Sequence, residues 1–147
     1  MDLLSSGWCF TKADSPYASH SIGDLQFGPD GALYVSAGDG ANYDTADVGN
    51  FAIDNCPDPV NEGGALRSQD LRTSADPTNY DGAILRIDPL TGLAVPGNPY
   101  YGSVDQQKSR IIAYGLRNPF RFAIDPTNGA LWVPDNGWSL WLSLIHI

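Results

Sequence analysis

Hydrophobic and polar residues alternate most clearly in two similar segments of the chain. The first is LQFGPDGALYVSAGDG, from Leu25 to Gly40, and the second is FAIDPTNGALWVPDNG, from Phe122 to Gly137. Each segment has an apolar run, a turn made of Pro, Asp, Asn and Gly, and a second apolar run. Because Pro presets φ and Gly or Asn accepts a positive φ, each segment predicts a β-hairpin.

The two hairpins indicate a fold made of repeated units. Gly31 and Gly129 occupy the same position in the two turns and lie 98 positions apart. A degenerate copy, ILRIDPLTGLAVPGN, runs from Ile84 to Asn98. Hairpins that recur about every 40 to 50 residues are typical of β-propellers, whose blades have four strands each. We therefore interpret the offset as two blade periods and predict an all-β fold, a partial β-propeller with about three blades. A β-sandwich is the weaker alternative.

The region between the first hairpin and the degenerate copy has a different character. Residues 41–77 show almost no sustained alternation and are rich in Asp, Asn, Gly and Pro. Loops of this length in a compact protein are usually functional or disordered, so we predict a long acidic excursion over one face of the propeller. Cys9 and Cys56 would allow one disulfide that fastens it, which requires an oxidising compartment. Two unrelated buried thiols are the alternative.

Hairpin connectivity also predicts which residues share one end of the fold. The first strand of one unit begins near His20, and its partner returns to Asp39. The first strand of the other unit begins after Arg117 and Asn118, and its partner returns to Gly137. If these first strands are innermost in their blades, His20 and Arg117 both point into the central channel. We expect Arg117 to face a cavity and not a core.

Composition and motifs exclude several classes of function. The 147 residues include 8 Lys and Arg against 17 Asp and Glu, a net charge of −9, which argues against nucleic acid or an anionic membrane as a partner. No window approaches the roughly 18 apolar residues of a membrane span, and no signal-peptide pattern is visible at the N-terminus. The sequence contains no G-x-S-x-G, P-loop, H-E-x-x-H or C-x-x-C motif.

The last six residues do not fit the rest of the chain. LSLIHI, residues 142–147, is similar to one reading frame of a common transposon-derived sequencing adapter. We interpret it as a non-native tail and assign the domain to residues 1–141. An ordinary strand is the alternative.

Linked motifs carry a family resemblance. SHSIGDLQFGPDGALYVSAGDG, EGGALRSQDLRT, IIAYGLRNPFRFAIDP and LWVPDNGWSLW occur in an order and spacing that resemble the glucose/sorbosone dehydrogenase family. Its members are soluble six-bladed propellers that use pyrroloquinoline quinone, and the match runs from about Trp8 to Trp141.

The resemblance implies a fragment of an extracellular or periplasmic enzyme that oxidises an aldose-like sugar and passes electrons to an external acceptor. We expect the fragment alone to be poorly stable and inactive, since an open ring exposes strand edges.

The resemblance also implies roles for individual residues. His20 corresponds to the general base that takes the proton of the anomeric hydroxyl, work that suits an imidazole near neutral pH. Arg117 corresponds to a catalytic cation at the quinone carbonyl, and Asn118 to a neighbouring hydrogen-bonding residue of the cofactor site. The backbone carbonyls of Gly137 and Trp138 match the position where the family binds calcium.

Each role has a plainer alternative. His20 could be a hydrogen-bonded surface residue, and Arg117 with Asn118 could be a clamp between blades. The whole chain could belong to a non-catalytic propeller that binds another protein. The pairing of His20 with Arg117 and Asn118 at one rim favours the enzyme.

Overall fold

The structure, a computed structural model, describes His20, residues 22–39 and 80–137, and the backbone of residues 141–146. The predicted acidic excursion, the pair Cys9 and Cys56, and Trp138 lie outside these residues. In the part of the chain that is described, no helix has the length and apolar character needed to cross a membrane.

Nearly all regular structure in the described residues is β-strand. The strands form two antiparallel sheets, one with the order β1-β2-β3-β4 and one with the order β5-β6-β7. The described residues also include a single helix, α1, which has five residues, precedes β4 and is capped by the side chain of Asp105. The all-β prediction is confirmed for this part of the chain. The elements are β1 (Ile22–Phe27), β2 (Leu33–Ala37), β3 (Ala83–Ile87), α1 (Gln106–Arg110), β4 (Ile111–Tyr114), β5 (Ala123–Ile124), β6 (Leu131–Asn136) and β7 (Trp141–His146).

The two predicted hairpins are present, and their turns are built alike. β1 pairs with β2 across a turn in which Gly31 has a φ of 77°. β5 pairs with β6 across a turn in which Gly129 has a φ of 75°. A positive φ is accessible to Gly at little steric cost, which is why the same residue type recurs at this position in both copies.

The degenerate copy does not start a new unit. Its first residues lie in β3, which pairs with β2 so that Leu33 faces Ile87 and Ser36 faces Ile84. The remainder of the copy is joined to β3 by a single bridge between Ile87 and Ala94. The segment therefore supplies the third strand of the first sheet, and β1 to β4 form the four-stranded antiparallel meander expected of a propeller blade.

This topology corrects the interpretation of the 98-residue offset. β1 contacts the two residues that lead directly into β5: Gln26 Nε2 donates to the Phe122 carbonyl at 2.6 Å, and Arg121 Nη1 donates to the Gly23 carbonyl at 3.2 Å. The offset thus separates two neighbouring sheets and is not two blade periods. The long stretch of chain between β2 and β3 accounts for the extra length. The described residues form two sheets, and the count of about three blades stays a prediction.

Within the part of the chain that the structure describes, the core consists of two layers, one on each face of the first sheet. Consecutive residues on a strand point to opposite faces, and Tyr34 and Ile84 belong to one layer while Val35 and Leu85 belong to the other.

The first layer also holds Phe122, Leu131 and Val133 from the second sheet, and it joins the two sheets. The second layer includes Tyr80 and Ile111.

Arg86 connects the first hairpin to the loop that follows β3. Its guanidinium contacts the Asp30 carboxylate at 2.6 Å and donates to the Pro96 carbonyl at 3.0 Å and to Asn98 Oδ1 at 2.9 Å. Desolvation opposes ionisation of Asp30, yet the hydrogen bonds from Arg86 and the Ala32 N–H hold the pKa of this carboxyl below its usual value. The contact fixes the end of the sheet opposite to His20.

A matched pair of leucines tests the packing of the second layer. Leu85 is fully buried, whereas Leu90 is 84% exposed. We expect Leu85→Ala in the full-length protein to lower the free energy of unfolding by about 2–5 kcal/mol, because the change leaves a cavity among well-packed neighbours. Leu90→Ala is expected to change it by less than about 0.5 kcal/mol. Urea denaturation followed by tryptophan fluorescence checks both values, and equal losses would contradict this packing.

The segment that we interpret as a non-native tail overlaps a strand. β7 runs from Trp141 to His146 and pairs antiparallel with β6, with Val133 opposite Ile145. Strand formation is compatible with either origin of these residues, since a paired backbone accepts many sequences. The assignment of residues 142–147 to an adapter therefore stays a prediction.

Candidate functional site

Four segments of the chain meet at the end of the sheets opposite the hairpin turns. His20 precedes β1, and Asp39 follows β2. Arg117 and Asn118 lie between β4 and β5, and Gly137 follows β6. Antiparallel pairing puts the start of one strand beside the end of the next, which brings these segments together. A direct link joins two of them, because the Asp39 N–H donates to the Arg117 carbonyl at 2.8 Å.

His20 forms a hydrogen-bonded pair with Asp39. Its Nδ1 lies 2.7 Å from Asp39 Oδ1, and the two side chains are 7% and 5% exposed. Since a carboxylate only accepts hydrogen bonds, Nδ1 is the donor in this contact, and in the neutral imidazole Nε2 then carries the lone pair. The imidazole is thus held in one orientation and one tautomer. The side chain is largely buried, although the residue as a whole is partly exposed, and its catalytic role stays a prediction.

The backbone of His20 is also unusual. Its φ is 55°, in the left-handed region that residues other than Gly adopt infrequently. Such conformations persist where surrounding contacts enforce them, and they are concentrated at functional sites. Gly38 is the neighbour that permits this one, because a Cβ at position 38 would overlap the His20 carbonyl oxygen and lie 2.6 Å from the His20 Cβ.

Gly38 therefore provides a test of how His20 is held. We expect Gly38→Ala to displace the His20 backbone and lengthen the contact with Asp39, which would lower any turnover that depends on the imidazole by about tenfold to a hundredfold. The measurement is kcat for an aldose in the full-length protein, with Gly31→Ala as the control. The φ of 77° at position 31 strains an alanine there as well, but no atom lies within 4 Å of the added Cβ, so a loss in this variant would not come from a contact with His20. Equal effects of the two changes would contradict a specific contact at His20.

Arg117 and Asn118 lie in a segment that is bonded to the second sheet. The Arg117 guanidinium is half-buried and donates through Nη1 to the Asn136 carbonyl at 3.0 Å. The Asn118 carbonyl accepts the Asn136 N–H at 3.3 Å. The segment is thus attached to the end of β6 by these two bonds. It also carries the Arg117 side chain to the His20 end of the sheets.

Asp135 completes this arrangement, and the sequence patterns did not single it out. Asp135 is 4% exposed, and its carboxylate accepts the backbone N–H groups of both Arg117 and Asn118, at 3.0 Å and 2.7 Å. The only signal in the sequence was its position in the acidic end of the second copy. Contacts between a side chain and backbone groups 17 or 18 positions away leave no local pattern.

The proposed metal position can be followed for one of its two residues. Gly137 directly follows β6 and is half-buried, and Trp138 lies outside the described residues. Among the residues described, no group of three or more His, Cys, Asp or Glu side chains has a metal-binding arrangement. A site made from backbone carbonyls does not need such a group, so the calcium assignment stays a prediction.

A cleft of about 550 Å³ lies away from these residues. It is lined by the turns of both hairpins, with Pro29 and Asp30 on one side and Pro126 and Asn128 on the other, and by Arg86. Its position at the opposite end of the sheets separates it from His20 and Arg117. The end of the sheets that carries His20 is the better candidate. It combines the buried pair of the His20 imidazole and the Asp39 carboxylate, the Arg117 guanidinium and the left-handed backbone at His20.

Comparisons with known proteins agree with the motifs. A model of the family described as "Glucose / Sorbosone dehydrogenase" matches residues 60–139. The HIPL2 protein of Arabidopsis thaliana is 33% identical over 111 residues, which cover 75% of this chain and 14% of that protein. The Hedgehog-interacting protein of Homo sapiens is 26% identical over 128 residues, 83% of this chain and 15% of that protein.

A solved structure shows the same likeness. The pyrroloquinoline-quinone-bound aldose sugar dehydrogenase from Streptomyces coelicolor superposes with a TM-score of 0.57 at 27% identity. The match covers 88% of this chain and 28% of that enzyme, so the chain spans less than a third of the proteins it matches. The family match extends over more than half of the residues. The chain belongs to the glucose/sorbosone dehydrogenase family.

Proposed function

We propose that this chain is part of a quinoprotein sugar dehydrogenase that oxidises an aldose-like sugar with pyrroloquinoline quinone and calcium. The observation that carries the proposal is the buried pair of His20 and Asp39, bonded through the Asp39 backbone to Arg117. A scaffold has no need for an oriented imidazole and a guanidinium at the same end. Family membership and the quinone-bound neighbour support the same reaction class.

His20 would act as the general base. With the proton fixed on Nδ1 by Asp39, Nε2 can accept the proton of the sugar's anomeric hydroxyl. Asp39 would then stabilise the positive charge that develops on the imidazole. General-base catalysis by a positioned side chain contributes about 10²- to 10⁴-fold to the rate, so this pair would account for a large share of it.

Arg117 and Asn118 fit the quinone end of the cofactor. When bound, the quinone supplies a two-electron acceptor for the hydride that leaves the sugar carbon. A planar, permanently charged guanidinium and an amide N–H₂ are donors suited to two adjacent carbonyl oxygens. Arg117 would stabilise the negative charge that develops there. The cofactor is itself anionic, and in a chain with a net charge of −9 such a cation is scarce.

Calcium would be held near the end of β6. The carbonyl oxygens of Gly137 and Trp138 are hard ligands of the kind that calcium accepts, and calcium tolerates irregular coordination. The metal would act as a Lewis acid on the cofactor. We assign the protein to an extracellular or periplasmic compartment, with an external electron acceptor, because the acidic composition and the possible Cys9–Cys56 disulfide suit an exported protein.

A second function has its own support. The human relative is a Hedgehog-interacting protein by name, which describes binding to another protein and not a reaction. This chain could likewise belong to a propeller that binds a protein partner and carries out no redox chemistry. Exposed apolar side chains on β1, such as Leu25 and Phe27, would be available for such a contact.

Dye reduction separates the two functions. The full-length protein, loaded with pyrroloquinoline quinone and calcium, should reduce an artificial electron acceptor when aldoses are added. Omitting the quinone should abolish the signal. No reduction at saturating quinone, together with wild-type behaviour of His20→Ala, would leave the protein-binding function as the better account.

A further inference from the structure

Both oxygens of the Asp135 carboxylate are used to hold two consecutive backbone amides. Oδ2 accepts the Arg117 N–H at 3.0 Å, and Oδ1 accepts the Asn118 N–H at 2.7 Å. Asp135 is 4% exposed, so water has little access to these bonds. Hydrogen bonds to an ionised acceptor are roughly twice as strong as neutral ones, which makes this a firm attachment.

The next residue holds the same segment from the other side. The Asn136 carbonyl accepts Nη1 of Arg117, and the Asn136 N–H donates to the Asn118 carbonyl. Asp135 and Asn136, at the end of β6, therefore hold both the backbone and the guanidinium of Arg117 by hydrogen bonds. Gly137, the proposed calcium position, follows directly.

We propose that Asp135 is a positioning residue that sets where Arg117 and Asn118 meet the cofactor. The inference rests on the proposed quinone chemistry, and Asp135 acts only through the two residues whose amides it binds. A misplacement of about 1 Å at a reacting centre can reduce a rate by about 10²-fold. The Asp135 carboxylate holds the backbone of both residues whose side chains are proposed to meet the quinone. It therefore controls both the affinity for the quinone and the rate of sugar oxidation.

The test is a series of isosteric and conservative changes. Asp135→Asn keeps the size of the side chain but replaces one acceptor oxygen with an N–H₂ donor, so one of the two amides loses its partner. Asp135→Glu keeps both acceptors and should restore part of the function. Asp88→Asn is the matched control: Asp88 also accepts two backbone N–H groups, from Leu90 and Thr91, at an exposed turn.

Three measurements on the full-length protein define the expected result. In Asp135→Asn, hydrogen exchange of at least one of the two amides, of Arg117 or of Asn118, should become about tenfold faster or more, since that amide loses its buried acceptor. The dissociation constant for pyrroloquinoline quinone should rise about tenfold, and kcat for an aldose should fall by about 10- to 100-fold. Asp135→Glu should lie between Asn and wild type, and Asp88→Asn should match wild type in quinone affinity and kcat.

The outcomes separate this inference from the proposed function. If wild type binds quinone and Asp135→Asn binds it equally well with unchanged kcat, the positioning role is overturned. The same holds if Asp88→Asn lowers affinity and kcat as much as Asp135→Asn does. If wild type binds no quinone, the proposed function fails, and the inference about cofactor placement fails with it. Even in that case, faster amide exchange in Asp135→Asn would identify Asp135 as the residue that holds this backbone segment. Unchanged exchange in the same variant would overturn this structural role as well.

Discussion

Replacing His20 with alanine is expected to lower kcat/KM for an aldose by about 10²- to 10⁴-fold, the range that a positioned general base contributes. The loss should fall mainly on kcat, because the imidazole is proposed to accept a proton in the reaction. Steady-state dye reduction by the full-length protein, loaded with quinone and calcium, measures it. The reason lies in the contact with Asp39 at 2.7 Å, which leaves Nε2 as the acceptor.

His20→Gln is the control that separates chemistry from packing. Glutamine keeps a side-chain N–H₂ that can donate to Asp39, but it takes up no proton near neutral pH. We expect an equally large loss of kcat with little change in thermal unfolding temperature. Substantial turnover in His20→Gln would show that the base is another group.

Replacing Arg117 with methionine is the second large effect that we expect. Removing a group that stabilises developing negative charge typically lowers kcat by about 10²- to 10³-fold. Quinone affinity should fall as well, because the guanidinium is proposed to hydrogen-bond the cofactor. Absorbance titration with quinone and single-turnover dye reduction measure the two effects separately.

Two further arginine changes sharpen this prediction. Arg117→Lys keeps the charge but loses the planar donor pair and the donor to the Asn136 carbonyl, so it should recover only part of the loss. Arg121→Met is the matched control. Arg121 lies four positions further along and its side chain is 64% exposed, so the change should leave quinone affinity as it is in wild type. An equal loss in Arg121→Met would point to general electrostatics and not to a site.

Local patterns were enough to predict the hairpins and the end of the fold where the site lies. The turns at Gly31 and Gly129 depend on a positive φ that few residues accept, so the sequence marks them clearly. Hairpin connectivity then places His20 and Arg117 at the same end of the fold. A tight turn pairs its two strands antiparallel, so the residues before the first strand lie at the end opposite the turn. These features depend on short stretches of sequence alone.

Features that depend on distant parts of the chain could not be predicted in this way. The pairing of β3 with β2 spans the long segment between them, so its repeat-like sequence was interpreted as a separate unit. Asp135 binds the backbone N–H groups of Arg117 and Asn118, which every residue type except proline could supply. Hairpin connectivity predicts Asp39 at the correct end of the fold, but no sequence pattern indicates its contact with His20 or the left-handed backbone at His20.

His20 and Arg117 are proposed to belong to one binding site, which the quinone occupies. The most direct measurement is the ¹⁵N signal of the His20 imidazole during a titration of the full-length protein with pyrroloquinoline quinone. We expect a saturable change in wild type, with the midpoint shifted at least about tenfold to higher quinone concentration in Arg117→Met. A His20 signal that does not respond at quinone concentrations that saturate the protein, or a midpoint unaffected by the loss of Arg117, would contradict it.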